Sequence, residues 1–262
     1  MKFKRNIPLK NHTTFKIGGP AKYFFVAKSK EDLIKAIKKA KDLKLPFFIL
    51  GCGSNLLVSD KGFNGLVIKS GQPFSSYVSK GLEWAVGIPG TIQGAVCSNA
   101  GAFKKSMKDV VKKVEVFDTE TEKIKIFKNK DCKFGYRDSI FKHKKNLIIL
   151  SVKIKLKKSE PRKIQKYLDY RKRTQPLELP SAGSVFKNPP EKSAGELIEK
   201  CNLKGKRVGD VKISGKHANF IVNLGNGKAK DVLKLIKLIK NKVKNKFKIN
   251  LEEEIQFLGF KK

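Results

Sequence analysis

The sequence predicts an α+β chain, with alternating helices and strands at both ends and a β-rich middle. Near residues 30–43 and 228–247 apolar side chains recur at helical spacing, and short apolar runs of strand length lie close by. Between these regions, residues 114–126 and 148–156 alternate apolar and polar side chains, the period of a half-buried strand.

Each element has its own signal. Residues 11–27 mix turn residues with short apolar pieces. Ser29 and Asp32 then have capping-box spacing, and Leu33, Ile34, Ile37 and Ala40 share one face of a helix over about 30–43. Pro46 leads into a strand at Phe47–Leu50, and a second strand fits Leu66–Ile68. Val114 and Val116, then Ile124 and Ile126, flank a polar turn at 118–122 and predict a hairpin. Ile148 to Leu156 read as a strand, and a short helix follows over about 161–172. Ala194–Cys201 reads as a helix stopped near Gly205, and Phe220–Val222 as a strand. A lysine-studded helix spans 228–247, and Glu254–Leu258 is the closing strand. No internal repeat is present. Boundaries are expected near 70 and near 174, giving parts at 1–70, 71–173 and 174–262.

Composition narrows the function. The chain has 262 residues, 40% of them hydrophobic and 31% charged, enough for a sizeable core. No apolar run is long enough to span a membrane, and no apolar segment follows the basic N-terminus, so neither membrane insertion nor a signal peptide is expected. The 4 cysteines and 3 histidines are scattered, which argues against disulfides or a metal site and for a reducing cytoplasm. A formal net charge of +36 invites nucleic acid, but the only arginines are Arg5, Arg137, Arg162, Arg171, Arg173 and Arg207. Dispersed lysine reads as solvated surface that attracts anionic ligands, without a specific nucleic-acid partner.

Several groupings can carry chemistry. Gly51, Cys52, Gly53, Ser54 and Asn55 follow a strand directly and can turn backbone N–H groups toward a phosphate, or simply form a strand-to-strand turn. A second cluster, Ile88, Pro89, Gly90, Thr91, Gly94 and Ala95 with Asn99 and Gly101, offers close backbone approach to a flat or anionic ligand, or a tightly packed turn system. Tyr136 and Arg137 follow a turn glycine, so Arg137 can clamp a carboxylate. Ser181 to Pro189 holds Ser184 close to Lys187 and Asn188, a hydroxyl beside a cation and an amide; alone it is a polar turn. Glu252, Glu253 and Glu254 offer an inward acid or a solvated cluster, and His217 an acid–base group or a structural hydrogen bond. Ile213–His217 lacks the upstream glycine spacing of a P-loop.

In order, the chain reads T-T-F-K-I-G-G-P-A from 13, L-G-C-G-S-N-L-L-V-S-D from 50, G-I-P-G-T-I-x-G-A from 87, N-A-G-A from 99, Y-R-D-S from 136, S-A-G-S-V-F-K-N-P from 181, L-K-G-x-x-x-G from 203, K-H-A-N-F-I-V-N from 216 and L-E-x-E from 251. Together these resemble the UDP-N-acetylenolpyruvoylglucosamine reductase (MurB) family, nearly end to end. The short stretch between Tyr136 and Ser181 is similar to its type II branch. The resemblance implies an FAD-binding fold of the vanillyl-alcohol oxidase / p-cresol methylhydroxylase type in two subdomains, plus a C-terminal α/β substrate-binding domain. It implies a monomer acting on a UDP-linked amino sugar, with NADPH reducing the flavin and hydride passing to the enolpyruvyl β-carbon. The two glycine loops become the flavin site, and Tyr136, Lys187 and Asn188 substrate contacts. Arg137 holds the carboxylate, Glu254 assists the electronic shift and Ser184 donates the proton. Two departures stand out. Only a short bridge at 71–80 replaces the several dozen residues usual in the family, and Gln93 and Gln256 stand where glycine and arginine are usual. Another flavin oxidoreductase of the same fold, or a flavin-free basic binding protein, are the alternatives.

Overall fold

Ser29 opens the first helix as its spacing predicts: its hydroxyl accepts a hydrogen bond from the Asp32 N–H at 3.1 Å, satisfying one orphan donor of the first turn. The structure is a computed structural model that describes residues 1–260. In chain order it forms β1 (Lys4–Pro8), β2 (Pro20–Val26), α1 (Lys30–Asp42), β3 (Phe47–Leu50), β4 (Leu56–Val58), β5 (Phe63–Lys69), α2 (Ile92–Cys97), β6 (Gly101–Ala102), β7 (Lys105–Ser106), β8 (Val111–Asp118), β9 (Lys123–Lys128), α3 (Ile140–His143) and β10 (Leu147–Ile154). There follow α4 (Pro161–Thr174), β11 (Ser181–Ser184), α5 (Ala194–Lys200), β12 (Arg207–Val208), β13 (Val211–Ile213), β14 (Phe220–Asn223), α6 (Ala229–Phe247) and β15 (Gln256–Leu258). The chain divides into two compact units.

The first unit comprises residues 1–3, 24–51 and 65–170. Here β3 and β5 pair in parallel, from Phe47 opposite Leu66 to Leu50 opposite Lys69. The predicted hairpin is present as β8 and β9, and β10 pairs antiparallel with β8 on its other side. The strand ends at Ile154, so Leu156 falls outside it and is exposed. Phe74, Leu82, Trp84, Ile92, Met107, Val114, Val116 and Phe141 form the core. The glycine cluster at 87–101 contains a helix that residue type did not announce. Thr91 caps it by accepting from the Gly94 N–H at 3.2 Å, and Ile92, Ala95 and Val96 are buried.

The short bridge at 71–80 is folded, not a bare loop. Phe74 is buried edge-on against Trp84, with ring centroids 5.8 Å apart. The Phe74 N–H donates to the Gly90 carbonyl and the Ile92 N–H to the Gln72 carbonyl, both at 2.9 Å. Gln93, the departure from the family's glycine, pins this bridge. Its Oε1 accepts from the Gln72 N–H at 3.0 Å and its Nε2 donates to the Leu150 carbonyl at 3.2 Å. Gln93→Gly removes both bonds and adds helix-interior backbone freedom, an expected cost of about 2 kcal/mol. Thermal melting should show this as a lower Tm for the first unit; an unchanged Tm would mean that the two bonds contribute nothing to stability.

The second unit comprises residues 4–23, 52–64 and 171–260. Its antiparallel sheet has the order β11-β14-β13-β12, and β15 pairs in parallel with β4, from Gln256 opposite Leu56 to Leu258 opposite Val58. α6 lays Val232, Leu235, Ile236, Ile239 and Val243 into a core shared with Phe15, Ile17, Leu57, Phe186 and Ile221. Its intervening lysines are the solvated face that the periodicity predicts. The closing strand starts later than expected, at Gln256, because Glu253 is drawn into an antiparallel bridge with Phe186. Among the described residues no helix is long and apolar enough to cross a membrane, all 4 cysteines are free, and no group of His, Cys, Asp and Glu could hold a metal ion.

Candidate active site

In the second unit the backbone brings the serine strand, the glutamate cluster and the first glycine loop together. Ser184 ends β11 opposite Phe220 of β14. The next residue, Val185, donates its N–H to the Asn219 carbonyl and accepts from the Glu254 N–H, both at 2.8 Å. The Lys187 N–H donates to the Glu252 carbonyl at 2.9 Å. Asn55 reaches the same segment: its Nδ2 donates to the Glu254 carbonyl at 3.0 Å, and its carbonyl accepts from the Gln256 N–H at 3.0 Å. Ser184 is therefore one residue from a direct backbone contact with Glu254, although the two stand far apart in the sequence.

The three glutamates separate by partner. Glu252 pairs with Lys187 Nζ, and Glu253 with Lys240 Nζ at 2.7 Å. Lys187 thus carries an internal counter-charge. Asn188 spends its Oδ1 on the Ala194 N–H at 3.0 Å, helping to cap α5. His217 is structural: its Nδ1 accepts from the Asn219 N–H at 3.3 Å, and burial, then Lys204, hold its imidazole below the ordinary value.

The glycine loops test whether a cofactor fits. Gly53 has φ +64°, and a Cβ there would stand 2.5 Å from the His12 carbonyl oxygen and 2.9 Å from Thr13 Cα. Beside it, Thr13 Oγ1 is buried without a hydrogen-bond partner among the described residues, so a polar group is available to a ligand. In the first unit, a Cβ on Gly51 would lie 2.7 Å from Thr91 Oγ1, so the start of the first glycine loop packs directly on the second. The Gly90 carbonyl is taken by the Phe74 N–H of the bridge, the Ala95 N–H donates to the Thr91 carbonyl at 2.9 Å inside the second loop, and the Ile88 N–H donates to the Ala85 carbonyl. Tight glycine turns with an unsatisfied hydroxyl fit the pyrophosphate of a dinucleotide. Gly101 serves the fold instead, pairing with Ser106 in the β6–β7 hairpin, where a Cβ would meet the Lys105 carbonyl at 2.5 Å.

Arg137 lies in the first unit, in a two-residue turn with Tyr136. Its guanidinium carbon is 5.5 Å from the Tyr136 ring centroid, and Tyr136 is exposed. Asp138 directs its carboxylate to His143 Nε2, at 2.8 and 2.9 Å.

Residue type did not reveal the buried asparagines. Asn219 accepts from the Phe186 N–H at 2.9 Å and donates to the Phe186 carbonyl at 2.8 Å, copying a strand partner behind the serine segment. Asn223 binds Phe15, Gly225 and Gly227 in the same way. Both sit in the K-H-A-N-F-I-V-N run, Asn219 in the turn just before β14 and Asn223 at its end, where an asparagine bordering a strand was the available signal.

Sheets backed by helices, with glycine loops packed at Thr91, define a mixed α/β protein. A family model for the UDP-N-acetylenolpyruvoylglucosamine reductase C-terminal domain matches residues 175–258. A UDP-N-acetylenolpyruvoylglucosamine reductase of Caldanaerobacter subterraneus subsp. tengcongensis is 44% identical, over 98% of this chain and 93% of its own. One of Caldicellulosiruptor bescii is 43% identical, over 99% and 91%. The crystal structure of the UDP-N-acetylenolpyruvylglucosamine reductase (MurB) from Thermus caldophilus superposes with a TM-score of 0.83 at 35% identity, over 98% of this chain and 99% of that one. The chain belongs to the UDP-N-acetylenolpyruvoylglucosamine reductase family. The first two alignments span 284 and 288 positions, so those relatives carry residues that this chain of 262 lacks.

Proposed function

We propose that this protein reduces UDP-N-acetylenolpyruvoylglucosamine to UDP-N-acetylmuramate in the cytoplasm, using NADPH and bound FAD, for peptidoglycan precursor synthesis. The observation that carries this reading is the backbone network that joins Val185, next to Ser184, with Glu254 and Asn55, in a chain of this family. FAD, when bound, would supply hydride chemistry with NADPH as its reductant. Gly51 to Asn55, with Ile88 to Ala95, hold it; the Gly53 turn and the buried Thr13 hydroxyl support that assignment. The FAD-binding fold over 1–70 and 71–173, and the substrate domain over 174–262, belong to the same proposal; the match at 175–258 supports the last boundary.

The chain's own groups then act on the substrate. Arg137 holds the enolpyruvyl carboxylate and stabilises charge that develops on it. Ser184 delivers a proton to the α-carbon, and Glu254 assists the electronic shift. Lys187, Asn188 and Tyr136 contact the nucleotide sugar. The +36 charge draws a dianionic substrate toward a monomer without a specific nucleic-acid partner.

The visible spectrum of the purified protein tests this, before and after NADPH and then substrate. A flavin bleached by NADPH and restored by the enolpyruvyl substrate is expected. A protein that takes up no FAD would overturn the proposal. Bleaching without reoxidation would leave a flavin enzyme with another substrate.

A further inference from the structure

We propose that Asn99 and Ser139 are positioning residues that aim Arg137, and that Asn99 is not a cofactor ligand. This rests on the assignment of Arg137 to the substrate carboxylate. Gly135 and Asp138 close the arginine turn by exchanging backbone hydrogen bonds at 3.0 and 3.3 Å. Arg137 has φ +53°, a region that side chains other than Asn and Asp seldom adopt. Such a conformation persists only where its surroundings over-determine it.

Three ties do so. Asn99 Nδ2 donates to the Gly135 carbonyl at 2.6 Å, on the entry side of the turn. The Ser139 hydroxyl donates to the Cys97 carbonyl at 2.6 Å, on the exit side. Lys142 Nζ donates to the Arg137 carbonyl itself at 2.9 Å. Asn99 is 5% exposed and Ser139 0%, so water does not compete for either bond. Asn99 also fixes its own amide, since Oδ1 accepts from the Lys108 N–H at 2.9 Å. Its φ of +44° suits asparagine and turns the side chain toward Gly135.

Asn99 and the Cys97 carbonyl that Ser139 binds both lie at the end of α2. That helix starts at Thr91, which packs on Gly51, and ends at Cys97, shortly before Asn99. One short rigid element therefore links the second glycine loop to the arginine turn. The Y-R-D-S run gains a meaning for its last residue: the serine is the bolt that holds the arginine's flank to that element.

A double-mutant cycle tests the inference in the FAD-loaded protein. Asn99→Ala and Ser139→Ala should each leave NADPH-driven flavin bleaching unchanged. Each should lower kcat/KM for the enolpyruvyl substrate by about 10- to 100-fold, the scale of a small misplacement. Calorimetry should show weaker substrate binding. In an Arg137→Ala background either change should cost less than about twofold further, because the group being aimed is gone. Costs that add in full there would overturn the inference, as would slower bleaching or weaker FAD binding in Asn99→Ala. If Asn99→Ala fails to fold, Ser139→Ala, which removes one oxygen, carries the same cycle. A wild-type protein without reductase activity would overturn the functional reading, and this one with it; an active wild type with additive costs would overturn this one alone.

Discussion

Ser184→Ala is expected to lower product formation by roughly 10²- to 10⁴-fold, the range of a positioned proton donor, while NADPH still bleaches the flavin. The separation follows from how the serine is held. Its strand pairs with Phe220, and the next residue is bonded on both sides by Asn219 and Glu254. Asn219 binds both backbone groups of Phe186 as well. The backbone at 184 is thus fixed by neighbours and not by the hydroxyl, so its loss removes chemistry and leaves geometry. A hydroxyl is a weak acid in water and needs a setting that stabilises the alkoxide left behind. Lys187 is the nearest cation in sequence, but its ammonium already pairs with Glu252. Glu252→Gln should then free Lys187 without touching Ser184. Rapid mixing separates the two half-reactions: a variant at residue 184 that reoxidises at the wild-type rate would remove the proton-donor role. One that also loses the NADPH step would show structural damage instead.

What could be read from the sequence is what repeats locally. α1 and α6 were legible because their apolar faces recur at helical spacing, and α1 carries its cap in Ser29. The β8–β9 hairpin was legible from alternation across a polar turn. α2 was not, because it is short and carries Gly94, a poor helix former, next to a loop-like Gly-Ile-Pro-Gly run. β1 was not, because Lys4–Pro8 carries Ile7 as its only aliphatic side chain, and β2 was not, because residues 11–27 break any period with turn residues. Of the residues proposed for chemistry, Ser184 and Arg137 stood out by type, whereas Glu254 was singled out from its acidic cluster only by the family resemblance. Gln93 stood out as a departure from the family, but its partners Gln72 and Leu150 are fixed only by the fold. The amides of Asn99, Asn219 and Asn223 bind backbone groups 36, 33 and 208 positions away, and those distant partners are fixed only by the fold.

Asn223 should give the largest stability effect of any single polar side chain in the second unit. It is 1% exposed and ends β14. Its Nδ2 donates to the Phe15 carbonyl at 3.1 Å, and its Oδ1 accepts from the N–H groups of Gly225 and Gly227, both at 2.9 Å. With a longer bond from Nδ2 to the Lys16 carbonyl at 3.4 Å, one amide satisfies four backbone groups, in the T-T-F-K run and in the loop that feeds α6. That loop is tight, since a Cβ on Gly227 would lie 2.6 Å from both Asn223 Oδ1 and Val211 Cγ1. Beyond it, Asp60 receives the first N–H groups of α6, from Ala229 at 2.8 Å and Lys230 at 3.0 Å. Asn223→Ala strips four partners at once, one of them at a long 3.4 Å, and opens space that backbone cannot fill. At about 1–3 kcal/mol for each buried group left unpaired, with some recovered by water, the expected loss is about 3–5 kcal/mol. That corresponds to a Tm lowered by roughly 15 °C for a unit of this size. Asn223→Asp keeps the acceptor and loses the donor, so it should fall between the alanine variant and wild type. The exposed neighbour Asn226 is the control, and its alanine variant should stay within about 0.5 kcal/mol of wild type. Calorimetric melting that places Asn223→Ala beside Asn226→Ala would refute this, and would mean that water replaces the amide at no cost.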